Sequence, residues 1–246
     1  MPEKKEILGI ITARGGSKSI PRKNIKSFLG SPLLVWTVEA GLKSGVLSRF
    51  ILTTDDEEIA SIGKKAGIEV PFMRPAELAQ DKTPSLPVLQ HAVSWLKEHE
   101  KYTPEYVVLL EPTSPGRRDF HIREAVEMLE NTGADSVISL GRVPGHHNPY
   151  WQFKIHEDKT LELFTGGSIK DVIRRRQDLP LTYFRNGSIY AFKTELLFKP
   201  EPSLYGDDVR GYIMDEKYSV DIDSLEDWIS AEICFKKIIE QEKYEK

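Results

Sequence analysis

Residues 11–26, ITARGGSKSIPRKNIK, set five basic side chains, Arg14, Lys18, Arg22, Lys23 and Lys26, behind and around Gly15-Gly16 and directly after the apolar run Ile7-Leu8-Gly9-Ile10-Ile11. Glycines let backbone N–H groups approach a phosphate, and Arg and Lys neutralise it. The stretch therefore has the makings of a cradle for a small, highly charged anion. It matches neither G-x-x-x-x-G-K-[ST] nor G-x-G-x-x-G, so no standard phosphate loop describes it. A solvated basic turn is the competing reading. The loop's place behind a buried strand, and the stiffening of Pro21 between basic pairs, weigh against that reading. Far along the chain, Val220-Asp221-Ile222-Asp223 offers a complement. In a strand, residues i and i+2 share a side. Asp221 and Asp223 can then present two carboxylates to one hard cation such as Mg²⁺, which typically takes one or two carboxylates along with phosphate oxygens and water. The alternative role for Asp223 is to cap the helix that follows.

Composition narrows the partners. The chain has 246 residues, 39% hydrophobic and 29% charged, with a formal net charge of −4. That length suits one sizeable domain. There is no global basic excess of the nucleic-acid-binding kind; the basic residues are clustered, which points to a small anionic ligand. The single cysteine, Cys234, excludes a disulfide framework and a cysteine zinc site; its expected place is the buried face of a terminal helix. No apolar run reaches membrane-spanning length, and the opening MPEKKEILG lacks the apolar core of a signal peptide. A cytoplasmic protein with no membrane partner is expected.

The elements that must position these residues are legible from pattern. Strands are expected at 7–13, 50–54, 69–72, 106–110 and 136–140, all short, unalternating and rich in Val, Ile and Leu, as in strands buried on both faces. Helices are expected between them. Ser31-Pro32 reads as an N-cap followed by proline at the first position, with Gly45 past the end. Asp56 reads as the cap of a helix with Glu57 and Glu58 in its first turn and Gly67 after it. Leu89, Ala92, Val93 and Leu96, and again Ile122, Ala125, Val126 and Leu129 behind Asp119, fall at helical spacing. This β-α-β-α order predicts an α/β fold with a mostly parallel sheet covered by helices. Its ligands would bind at the carboxyl ends of the strands. After Leu140 the pattern breaks: residues 141–185 read as an insertion leaving the sheet, with a hairpin turning at EDKT, and residues 186–246 as a return. A last helix is expected over about 224–243, with Leu225, Trp228, Ile229, Ile233 and Phe235 apolar and the KYEK tail frayed.

The loop ITARGGSKSIPRKNI resembles the nucleotide-binding signature of the cytidylyltransferases that activate acidic sugars, the CMP-sialic acid (N-acylneuraminate/nonulosonate) synthetase family. TTDDEEIA, RPAELAQDKTPS, LLEPTSPGRR, RQDLPLTYFRNGSIYAF and YSVDIDSLEDW resemble further blocks of that family in the family's order, from about residue 7 to residue 232. The resemblance implies a Rossmann-like domain of the nucleotide-diphospho-sugar transferase type, with a small protruding dimerisation segment within 141–185 and a homodimer. It also implies Mg²⁺-dependent transfer of CMP from CTP to a sugar hydroxyl, releasing pyrophosphate. By the same resemblance Arg14 and Lys23 contact the phosphates, Lys23 as the leading transition-state stabiliser, with Ser17, Lys18 and Asn24 assisting. Ala13, Arg74 and Ser85 match positions near the cytidine, and Asp81 reads as a cap. Asp221 and Asp223 carry the metal, and either is a candidate proton acceptor.

On the sugar side, Arg176 and Arg185 match arginines expected near the sugar carboxylate or the phosphates. Tyr183 and Phe184 would wall the pocket. Asn186 lies in the sugar site by resemblance, although Asn186-Gly187 also reads as a tight turn. Thr113 and Ser114 either bind ligand or satisfy a turn. His146-His147 matches a family pair, and adjacent histidines rarely converge on one ion. Four positions depart from the family's commonest pattern: Ser19 for glycine, Glu111 for glutamine, Gly116 for leucine, and the missing proline in FRNG. Three of them touch the sugar side. CTP use is thus the firmer inference, and a legionaminic-type relative of sialic acid is a serious alternative to sialic acid itself. An eight-carbon acidic sugar such as Kdo and, from another class, a non-catalytic nucleotide-binding protein are the competing functions.

Overall fold

The computed structural model describes residues 5–244. In chain order the elements are β1 (Ile7–Thr12), the short ladder β2 (Ser27–Phe28) and β3 (Ser31–Pro32), α1 (Leu33–Ser44), β4 (Arg49–Thr53), α2 (Glu57–Ala66), α3 (Ser85–Glu100), β5 (Tyr106–Leu109), α4 (Asp119–Thr132), β6 (Ser136–Arg142), β7 (Phe153–Ile155), β8 (Leu161–Leu163), β9 (Tyr183–Lys193), β10 (Val209–Ile213) and α5 (Leu225–Tyr244). Six strands form the main sheet in the order β10-β6-β9-β5-β1-β4. β1 pairs parallel with β4 and β5, and β10 parallel with β6, while β9 runs antiparallel to both neighbours. The mostly parallel α/β sheet expected from the sequence is what forms. The chain steps from β1 out to β4, then crosses back to β5 on β1's other side. The loops after β1 and β5 therefore diverge and open a crevice at their carboxyl ends, where ligands of such sheets bind.

Helices cover both faces, because the strand residues alternate between two apolar clusters. Ile7 and Ile11 join Leu34, Val38, Ile122 and Val126 on one face; Leu8 and Ile10 join Leu89, Val93 and Leu96 on the other. A third cluster lies off the sheet. Trp228, Ala231, Phe235 and Ile238 of α5 pack on Phe28, Leu33, Ile20 of the basic loop and Ile222 of VDID. Phe28 meets Trp228 and Phe235 edge-on, with ring centroids 5.5 and 5.6 Å apart. Burying a phenylalanine contributes about 2–3 kcal/mol, so this cluster firmly joins the chain's two distant chemical segments.

Several expectations need correction. Residues 69–72 form no strand, only a single bridge between Ile51 and Glu69. Ser31 does not cap α1: it pairs in the β2–β3 ladder, and Pro32 holds the cap position without a side-chain bond. Asp56 does cap α2, accepting from the Ile59 N–H at 2.9 Å. VDID is extended but unpaired as a strand; Ile222 N–H donates to the Thr113 carbonyl at 2.9 Å. Ile222 is buried while Asp221 and Asp223 face out, so the alternation survives without a sheet. Cys234 is exposed, not buried, and so are Leu225, Ile229 and Ile233, because α5 buries the stripe through Trp228, Ala231, Phe235 and Ile238 instead. Asn186-Gly187 is no hairpin turn but part of a bulge in β9: the register with β6 shifts between Ile138 and Leu140. Gly187 there has φ 74°, a conformation glycine adopts without strain.

The hairpin at EDKT forms as β7 and β8, outside the main sheet. The excursion runs from about residue 143 to 182, slightly inside the expected bounds. The frayed tail falls partly at residues 245–246, and the start of the leader reading at residues 1–4; both lie outside the described residues. Among the described residues no helix is long and apolar enough to cross a membrane.

Candidate active site

The crevice beyond β1 and β5 holds a cavity of about 370 Å³. One wall is the glycine-basic loop (Arg14, Gly16, Ser17, Lys18, Ser19, Lys23, Asn24). The other walls come from Arg74, Thr83 and Ser85, from Glu111, Pro112 and Thr113 behind β5, and from Asp223. Seven of the residues expected on the nucleotide side, Arg14, Ser17, Lys18, Lys23, Asn24, Arg74 and Ser85, thus share one cleft. Ala13 does not: its methyl is fully buried in the core and its N–H bonds the Thr53 carbonyl at 3.1 Å.

The loop's shape is fixed from within. Asn24 donates to the Arg14 carbonyl at 3.0 Å, pinning the loop's start to its end. Arg22 adopts a left-handed conformation with φ 57°, which costs a non-glycine residue about 1–2 kcal/mol. Its guanidinium is held by Asp56 and by Glu58, the latter at 2.5 Å, outside the cleft. Pairing with Arg22 holds the Asp56 carboxyl below its ordinary range. Arg22 is therefore a fastening between the loop and the start of α2. Arg14 and Lys18 point the other way and both pair with Asp81, Lys18 at 2.5 Å. Asp81, read from sequence as a cap, is an ion-pair partner instead.

Lys23 ties the two chemical segments together. Its ammonium donates to the Ile222 carbonyl at 2.7 Å and to Asp223 at 3.1 Å, across 200 positions of sequence. Asp221 accepts from the Thr113 hydroxyl; the residue keeps solvent exposure, but the protein packed around its carboxyl partly desolvates that group and pushes it up, and the neighbouring Asp223 charge adds to that. Two carboxylates close enough for one charge to oppose the ionisation of the other, beside the basic loop, suit a divalent cation. Among the described residues no three His, Cys, Asp or Glu side chains are grouped to hold a metal by themselves. A cation here would complete its shell with ligand oxygens and water, as Mg²⁺ commonly does.

The loop behind β5 is tied to three elements by one side chain. Arg117, fully buried, donates to the Ser188 carbonyl, to Thr37 Oγ1 at 2.7 Å and to the Glu111 carbonyl at 3.1 Å. It joins β9, α1 and the end of β5, and sequence reading passed over it. Gly116 is explained by the fold: a Cβ there would stand 2.2 Å from the Tyr218 carbonyl. Only glycine lets the loop behind β5 and the segment leading to VDID approach so closely. The Glu111 carboxyl accepts weakly from Thr12 at 3.4 Å, and burial pushes it up to about 7 against the pull of Arg117. Arg74 is buried, donates to Thr53, and is pushed down to about 10 by that burial. The Ser114 hydroxyl is buried, has no hydrogen-bond partner among the described residues, and does not line the cleft.

The expected sugar-side residues do not converge in the same way. Thr113 and Glu111 line the same cleft as the basic loop. Asn186 is buried in the β9 bulge: its carbonyl accepts from Ser139 at 2.6 Å and from the Ser188 N–H, and its amide donates to Ser219 at 2.8 Å and to the Met214 sulfur. It braces Ser219, two residues before Asp221. Arg185 donates to the Tyr205 hydroxyl at 2.9 Å. Tyr183 and Phe184 are largely exposed. Arg176 lines a separate cavity at the root of the excursion, with Arg142, His146 and Glu216.

The cytidylyltransferase family model matches residues 8–244. Among curated relatives, a CMP-N,N'-diacetyllegionaminic acid synthase of Campylobacter jejuni is 34% identical over 220 residues, covering 89% of this chain and 90% of that protein. An N-acylneuraminate cytidylyltransferase of Streptococcus agalactiae is 32% identical over 222 residues, where the match covers 89% of this chain and 51% of the longer relative. Among solved structures, a CMP:2-keto-3-deoxy-manno-octonic acid synthetase complexed with CTP superposes with a TM-score of 0.65 at 13% identity, covering 94% of this chain and 99% of that one. At that identity the last likeness bears on the fold alone.

Proposed function

The chain belongs to the cytidylyltransferase family, and on that premise we propose that it transfers CMP from CTP to the anomeric hydroxyl of an acidic nine-carbon sugar, sialic acid or a legionaminic-type relative, releasing pyrophosphate. The observation that carries the reading is the convergence of Arg14, Lys18 and Lys23 with Asp223 on one cleft, beside Asp221, at the divergence of the loops after β1 and β5. Attack on the α-phosphorus builds charge on the phosphoryl oxygens and on the departing pyrophosphate. Arg14, Lys18 and Lys23 are placed to neutralise the pyrophosphate. Asp221 and Asp223 would hold Mg²⁺, which when bound offsets charge on the phosphoryl oxygens. Lys23, held between Ile222 and Asp223, is positioned to reach a phosphate beside that carboxylate. Arg74 and Ser85 bound the cleft end assigned to the cytidine.

The sugar assignment is supported by the similarity to the legionaminic acid synthase and by Glu111. A carboxyl that burial raises to about 7 holds its proton in about half of the molecules near neutral pH, and in that form can donate to a polar substituent without repelling an acidic sugar. The non-catalytic alternative predicts CTP binding without pyrophosphate release in the presence of Mg²⁺ and any acidic sugar. We further propose a cytoplasmic homodimer formed through the excursion, whose Phe153, Ile155, Leu161, Phe164 and Leu181 are exposed apolar side chains close in sequence. Light scattering at micromolar concentration tests the dimer, and a monomer refutes it. The decisive experiment is pyrophosphate release from CTP with Mg²⁺ against a panel of acidic sugars. Release is expected only with all three together and best with a nine-carbon acid. Equal turnover with ATP or UTP, or preference for an eight-carbon acid, overturns the assignment.

A further inference from the structure

Each of the four cations Arg14, Lys18, Arg22 and Lys23 is paired to an acid of the same chain, and the pairs around Arg22 and around Asp81 differ in kind. Asp56, which holds Arg22, is locked in place as the N-cap of α2 and lies outside the cleft. Asp81 has no such anchor. Among the described residues the partners recorded for its carboxylate are Arg14 and Lys18, which line the cleft together with Thr83 and Ser85, its own near neighbours in sequence. One carboxylate from the loop before α3 thus reaches the loop behind β1 and binds two cleft-lining cations at once, as the oxygens of a phosphate would. The Lys18 and Arg14 charges hold the Asp81 carboxyl below its ordinary range.

We propose that Asp81 is an internal competitor for the ligand's phosphates: it occupies Arg14 and Lys18 until a polyphosphate displaces it, and it returns to them as pyrophosphate leaves. The inference rests on the nucleotide reading of the cleft. Ion pairs this exposed are weak, so a triply or quadruply charged ligand wins the exchange readily. Every phosphate ligand nevertheless binds more weakly by the strength of the pairs it breaks. Pyrophosphate, released by the reaction, is then held less tightly than the bare cations would hold it.

The test is calorimetric titration at fixed ionic strength, with no sugar or metal, of the wild-type protein and of Asp81→Asn, which keeps the side chain's size and removes its charge. Inorganic tripolyphosphate and pyrophosphate are the probes. Both are expected to bind the variant roughly three- to tenfold more tightly, with the gain shrinking at high salt. The gain should vanish when Arg14→Gln and Lys18→Gln are present as well. Asp56→Asn, which retains a capping side chain, should give no such gain. Unchanged or weaker binding by a folded Asp81→Asn overturns the inference; CTP binding by the wild type in that case leaves the cleft reading intact. Absence of binding of either anion and of CTP to both proteins overturns both.

Discussion

The glycine-basic loop and the segment around β9 flank Asp221, and they are held by different means. The loop carries Arg14 and Lys18, whose side chains are partly exposed and tied by ion pairs that water and small anions can exchange. The β9 segment carries Asn186, buried and satisfied on both its oxygen and its nitrogen by neutral partners that nothing in the cleft can displace. The first is built to release its partners and the second to keep them. The residues expected on the nucleotide side accordingly share one cleft, while Arg176, Tyr183, Phe184 and Arg185 remain spread over a separate cavity and open surface.

The sharpest way to break this contrast is at the carboxylates beside Lys23. Asp221→Ala and Asp223→Ala should each lower pyrophosphate release by about 10²–10³-fold with unchanged circular dichroism; near-normal rates would remove them from the metal site. On the β9 side, Asn186→Ala should act on stability first. Leaving Ser139 and Ser219 without their partner is expected to cost about 2–3 kcal/mol in urea unfolding. A variant with full stability and lost sugar affinity would instead make Asn186 a ligand.

Glu111 lies between the two halves and titrates differently from either. Burial disfavours its charged form in the folded protein, raising it from 4.5 to about 7. Within that window the unfolded chain gives up a proton that the folded chain keeps, so stability present at low pH is lost as pH rises toward 7. Between about pH 5 and pH 7 the wild type should lose roughly 2 kcal/mol relative to Glu111→Gln, read from paired unfolding curves; parallel curves would refute the burial argument. The smallest effect separates two arginines of one loop. Arg14→Ala should weaken CTP binding roughly tenfold, whereas Arg22→Ala should cost under about 1 kcal/mol of stability and leave CTP affinity within about twofold. Equal losses of affinity would show that the outward pairing of Arg22 does not persist in solution.

Much of this architecture can be read without coordinates. Four of the five expected strands form, Gly45 and Gly67 adopt the left-handed conformations that end α1 and α2, and the helical stripes on α3 and α4 are the buried ones. The exceptions share a cause. Residues 69–72 have strand composition but find only one bridging partner. α5 has two apolar stripes, and its position against Phe28 and Ile222 decides which one is buried. Glycine at 116 looks like an arbitrary departure until the Tyr218 carbonyl is seen beside it.

By itself the sequence determined what depends on neighbours along the chain: apolar runs long enough for buried strands, caps that start and stop helices, and two sets of side chains fit for phosphate and cation. It also determined the family through six ordered blocks. Tertiary structure decided which cations face the cleft and which fasten the loop, where Asp81 points, that Asn186 is a brace, and that Arg117 ties three elements together. These depend on contacts between residues tens to hundreds of positions apart. Lys23 meets Asp223 because Ile20 and Ile222 are both buried under α5, and no periodicity along the chain encodes that meeting.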